Sequence, residues 1–132
     1  MSFHFWLSKI SSGATYMDAL HHDVMVALMR LSTGVDREFR EGYDTLLHKV
    51  ERIFRAEERW MEEIGFPELK HHREQHASIL SDLLHGRARI AGGDTQFGRH
   101  IIENLLPEWL LLHSSTMDSA LARELRVATL AH

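Results

Sequence analysis

The chain has 132 residues, 44% of them hydrophobic, which suits one domain, 1–132, around a single buried core. A formal charge of −4 without a basic stripe speaks against nucleic acid as a partner, and no apolar run is long enough to span a bilayer. Cysteine is absent, which excludes disulfides, thiolate metal sites and redox thiols.

An arm of about fifteen residues opens the chain. Its apolar stretch carries one Lys and is too short for a signal peptide, so a cytoplasmic location is expected. A first helix follows, with Met17, Leu20, Val24, Met25, Leu28 and Leu31 on one face, ending near Ser32-Thr33-Gly34. The second carries Leu46, Leu47, Val50, Ile53, Phe54, Met61 and Ile64 and stops at Gly65-Phe66-Pro67. The third runs from about Glu68 to Ile90, with Leu69, Ile79, Leu80 and Leu83 inward, and closes at Gly92-Gly93. Asp94 or Thr95 can cap the fourth, whose inward series reads Phe97, Ile101, Leu105, Trp109 and Leu112. Pro107 inside that series should kink or restart the helix. A last segment, 119–130, keeps the helical period. The expected fold is all-α: an up-down-up-down four-helix bundle with an N-terminal arm and a short C-terminal helix.

Histidine is the compositional anomaly, with 11 residues scattered through the chain. Several fall where the core should be. His21 joins the inward series of the first helix, whereas His22 is turned about 100° away. Glu57 lies among Val50, Ile53, Phe54 and Met61. His72 and His76 share the face of Leu69, Ile79 and Leu83. His113 follows Trp109 and Leu112, and Asp118 adjoins Met117 and Leu121. Four imidazoles and two carboxylates thus point inward, from every helix. An unpaired buried carboxylate costs several kcal/mol or more, and one cation would offset that cost for all of them. His72 and His76 lie one turn apart, about 6 Å, within reach of a common ion. His113 and Asp118 are about 140° apart on an ideal α-helix, so their convergence requires a helix end or a distortion. Without cysteine, the ligand chemistry suits iron, zinc, manganese or copper.

These residues resemble the bacteriohemerythrins. The resemblance rests on Trp6, Gly13, Asp18-Ala19-Leu20-His21, and Phe54-Arg55-Ala56-Glu57-Glu58-Arg59-Trp60-Met61. It continues through Gly65-Phe66-Pro67, His72-x-x-x-His76, Trp109-Leu110-Leu111-Leu112-His113 and Asp118. It implies a non-haem di-iron site that binds dioxygen reversibly. His72, His76 and His113 would hold one iron. His21 and a histidine from the second helix would hold the other, with Glu57 and Asp118 bridging. Family members serve as oxygen carriers, stores or sensors, and some are linked to iron handling or to peroxide and nitric oxide chemistry.

The chain departs from that pattern at one ligand. Where the family has His-Phe-x-x-Glu-Glu on the second helix, this sequence reads Ile53-Phe54-Arg55-Ala56-Glu57-Glu58. His48 is the nearest imidazole on that helix, but it lies about 140° around and about 7.5 Å along. The expectation is a depleted second iron, or a single metal. Three readings follow: a dioxygen-binding protein, an iron enzyme acting on peroxide, nitric oxide or ferrous iron, and a bundle that has lost its metal and binds a partner. His4, His85, His100 and His132 read as solvated, the 37–41 run as a solvated helix face, and Glu58 and His71 as surface or hydrogen-bonding neighbours of the ligands.

Overall fold

The computed structural model describes residues 15–130, which form helices and no strand. His4, Trp6, Gly13 and His132 lie outside the described residues, as does the side chain of Met17. Helix α1 is Thr15–Thr33, α2 is Asp36–Ile64 and α3 is Leu69–Ala91. Helix α4 covers 95–130 in contiguous segments: α-helical Thr95–His100, π-helical Ile101–Leu105, α-helical Leu106–His113, π-helical Ser114–Asp118 and α-helical Ser119–Leu130. No helix among the described residues is long and apolar enough to cross a membrane.

The helix ends follow local chemistry. Gly65 takes a left-handed conformation (φ 65°) that closes α2, and Phe66 N–H donates back to the Met61 carbonyl at 2.9 Å. The Asp94 side chain accepts from Phe97 N–H at 3.2 Å and caps α4. Pro107 falls in the first turn of an α-segment that restarts after the π turn, where its missing N–H costs least.

The connections 34–35, 65–68 and 92–94 are short enough to make successive helices antiparallel neighbours. Lys49 on α2 reaches Asp23 on α1 at 2.9 Å, and Arg99 on α4 donates to the Gly34 carbonyl at 3.0 Å, which closes the ring of helices. The bundle is the expected up-down-up-down arrangement. A large apolar cluster, including Leu28, Phe39, Tyr43, Leu47, Val50, Ile79, Leu83, Ile102 and Leu106, fills one end. Met61, Phe66, Leu121 and Ala122 form a smaller one at the other.

Two sequence expectations need correction. The inward face of α4 is Ile101, Ile102, Leu106, Leu110, His113 and Asp118, while Leu112 is 67% exposed and Leu105 and Trp109 are half-buried. A constant α-helical period runs through the first π turn, whereas the wider turn shifts the buried face by about a residue. On α2, the charged residues at 37–41 are solvated as expected, but Phe39 among them is buried, as is Tyr43 one turn later.

Helices α2 and α3 approach closely at Gly86. A β-carbon there would collide with Tyr43 Oη and Ile101 Cδ1, and Tyr43 Oη donates to the Leu83 carbonyl at 2.7 Å. Gly86→Ala is therefore expected to cost about 1–3 kcal/mol through overpacking, despite its better helix propensity. The cost should shrink in a Tyr43→Phe background, which removes the colliding hydroxyl. Urea denaturation across the double-mutant cycle measures this, and equal costs in both backgrounds would put the strain elsewhere.

Candidate metal centre

Each helix sends polar groups to one level of the core. Buried polar side chains among the described residues are His21 on α1, Glu57 on α2, His72 and His76 on α3, and His113, Ser114 and Asp118 on α4. On α3 the buried series His72, His76, Ile79, Leu83, Gly86, Ile90 keeps one face, so the imidazoles occupy core positions by helical periodicity alone. On α4 the π turn Ser114–Asp118 does what an α-helix cannot. Its i→i+5 repeat brings His113 and Asp118 to the same side, and His113 Nε2 lies 3.2 Å from Asp118 Oδ1.

The two carboxylates divide their oxygens. Glu57 Oε1 faces His72 and His76 at 3.5 Å and His113 at 4.0 Å, whereas Oε2 faces His21 at 3.9 Å. Asp118 Oδ1 lies 3.0 Å from His72 and 3.2 Å from His113, while Oδ2 lies 3.2 Å from His21. One ligand atom from each of Glu57, His72, His76, His113 and Asp118 falls within 4.8 Å of all the others. His21 stands beside this set, against the second oxygen of each carboxylate.

The cluster calls for positive charge. Both Glu57 oxygens are buried without a hydrogen-bond partner among the described residues, a cost that metal ligation would remove. His76 Nδ1 meets the acceptor Glu58 Oε2 at 3.1 Å, so it carries the proton and Nε2 turns a lone pair inward. His113 Nδ1 meets Gln75 Oε1 at 3.0 Å with the same result. The inward Nε2 atoms of His76 and His113 are 3.2 Å apart, and those of His113 and His72 are 3.0 Å apart. Nitrogens about 2.1 Å from one ion and at right angles around it would be about 3.0 Å apart. The donor set and its spacing fit a borderline metal ion such as iron.

Without a cation, protons take its place. Burial pushes the Glu57 carboxyl well above its ordinary range, and the Asp118 charge adds to this. Burial would also raise Asp118, but hydrogen bonds from His113, His21 and His72 outweigh it and hold that carboxylate well below, so without a cation these rings turn an N–H rather than a lone pair towards it. Burial lowers His76 to about 2, helped by the neighbouring imidazoles, and lowers His113 as well. A neutral imidazole is the form that binds a metal.

The surroundings fix the rings and keep them dry. Phe54 stacks on His76 with centroids 3.8 Å apart and planes 2° from parallel, and Trp109 stacks on His113 at 4.3 Å and 16°. A small cavity of about 10 Å³ lies on the His21 side, lined by Val50, Ile53, Leu110, Ser114 and Asp118 as well as His21 itself. That is room on the order of a single water.

All six candidate residues therefore meet at one place. His22 and His48 are exposed and do not join them, and His48 Nδ1 instead sits 2.8 Å from its own helix's Asp44 carbonyl. Ser114 and Gln75 were not legible as site residues. A serine next to His113 reads as surface until the π turn buries it, and nothing in its spacing marks Gln75 as the partner of His113.

A bacteriohemerythrin of Ralstonia nicotianae is 31% identical over 113 residues, covering 86% of this chain and 82% of that protein. No protein-family model matches the chain, and no solved structure matches it significantly.

Metal loading should stabilise the bundle by mass action, because it relieves the buried carboxylates. Glu57→Leu is expected to make the metal-free protein at least as stable as the parent while abolishing the rise in melting temperature on adding ferrous iron. Anaerobic thermal melts with and without iron test this. A Glu57→Leu protein that still gains stability from iron would contradict the assignment.

Proposed function

The chain belongs to the bacteriohemerythrin family, and on that premise we propose that it holds non-haem iron and binds dioxygen reversibly, as a carrier, store or sensor. The observation carrying this reading is the division of the carboxylate oxygens between three histidines and His21. In this reading His72, His76 and His113 hold one iron, His21 reaches the other, and Glu57 and Asp118 bridge them. Iron held there would supply redox chemistry towards a small ligand. The chain's own residues orient the rings, exclude water through Phe54 and the flanking apolar clusters, and neutralise the metal charge with two carboxylates.

The second position is proposed to be depleted. Ile53 is 3% exposed and lines the cavity next to His21, which supports the reading that an apolar side chain takes the place of a further imidazole. Neither His22 nor His48 compensates. Iron on that side would be held by His21 and the shared carboxylates Glu57 and Asp118, and should be labile.

That cavity also favours a second reading. An open position beside a redox metal suits reaction with peroxide, nitric oxide or ferrous iron, at a di-iron or mononuclear site. Reversible oxygen uptake separates the two. We expect oxygen bound by reduced, iron-loaded protein to be released on lowering its pressure. Consumption of oxygen or peroxide over many turnovers, with no reversible fraction, would favour the enzyme.

Ile53→His tests the depleted position. The variant should raise iron towards two per chain, at a packing cost of about 1–3 kcal/mol from placing a polar ring in an apolar site. Metal analysis after desalting measures it. A variant with unchanged iron content would show that residue 53 does not address the metal.

A further inference from the structure

The three clustered imidazoles differ in what stands behind them. His72 Nδ1 is buried with no hydrogen-bond partner among the described residues. His113 Nδ1 meets the neutral amide oxygen of Gln75 at 3.0 Å. His76 Nδ1 meets a carboxylate, Glu58 Oε2, at 3.1 Å. We propose that Glu58 is a positioning residue that makes His76 the strongest donor of the three and biases bound iron towards the ferric state. This inference rests on the iron site proposed above.

The geometry around Glu58 is a clamp. Glu57 and Glu58 are adjacent on α2, so their side chains leave the helix about 100° apart: Glu57 enters the core and Glu58 lies along the seam with α3. Its second oxygen, Oε1, accepts from Arg73 Nε at 3.1 Å, and the same guanidinium also contacts Glu62. One oxygen is thus committed to the arginine and the other to the imidazole. Phe54, stacked on His76, restrains the ring from turning away.

A fixed anion behind Nδ1–H draws that proton towards itself and raises electron density at Nε2. The richer donor favours the more highly charged metal. The Gln75 amide offers the same hydrogen bond without net charge, so His113 gains orientation but less donor strength. Glu58 is only partly exposed (26% for its side chain), so water does not fully screen its charge.

Glu58→Gln tests the charge and spares the hydrogen bond, since its amide oxygen can still accept. Iron affinity should fall about 10–100-fold. The ferric/ferrous midpoint potential should rise by about 59 mV for each tenfold loss of ferric over ferrous affinity. Gln75→Glu places a carboxylate behind His113 and should shift the potential the opposite way. Glu62→Gln removes a nearby charge that touches Arg73 but no imidazole, and should leave the potential unchanged. A Glu58→Gln potential equal to wild type, or a Glu62→Gln shift as large as that of Glu58→Gln, would overturn the inference and leave the iron site standing. Wild-type protein that binds no iron would overturn the site and the inference together.

Discussion

Two carboxylates dehydrated among four imidazoles form the constraint on which the rest of this bundle depends. Glu57 and Asp118 are at most 1% exposed, and an uncompensated charge at that depth costs several kcal/mol. The apolar clusters at either end seal the level and deny it water. Lone pairs from His76 and His113 and carboxylate oxygens converge there, so the arrangement calls for a cation or for protons in its place. Stability and ligand chemistry are therefore coupled through the same six side chains.

Helix α4 shows how the fold accommodates that demand. It must present Ile101, Ile102, Leu106 and Leu110 to the core, then both His113 and Asp118 to the polar cluster. No constant α-helical period satisfies both. Two π turns, at Ile101–Leu105 and Ser114–Asp118, adjust the phase, the second at the site itself. The first also allows the α-segment holding Pro107 to restart, so the proline sits where it costs least.

Much of this was legible in the sequence, for identifiable reasons. Inward His21, Glu57, His72 and His76 follow a regular helical period on α1, α2 and α3, so counting residues placed them on the buried face. His113 and Asp118 were read as inward from their place beside Trp109, Leu112, Met117 and Leu121, while the π turn that joins them was foreseen only as a required distortion. The buried register of α4 was not legible, because a wider turn leaves no compositional mark and moves every later residue around the axis. Phe39 was hidden by its charged neighbours. Gln75 acts through a tertiary contact that no local pattern encodes, and Ser114 is turned towards Asp118 by the π turn itself.

The central claim is that a complete three-histidine position and an incomplete His21 position share two bridging carboxylates. Anaerobic titration of metal-free protein with ferrous iron, followed by calorimetry, tests it most directly. The account predicts one tight equivalent per chain and a second bound at least tenfold more weakly, a gap of about 1.4 kcal/mol or more. Two equivalents of equal affinity, or no tight binding at all, would contradict it.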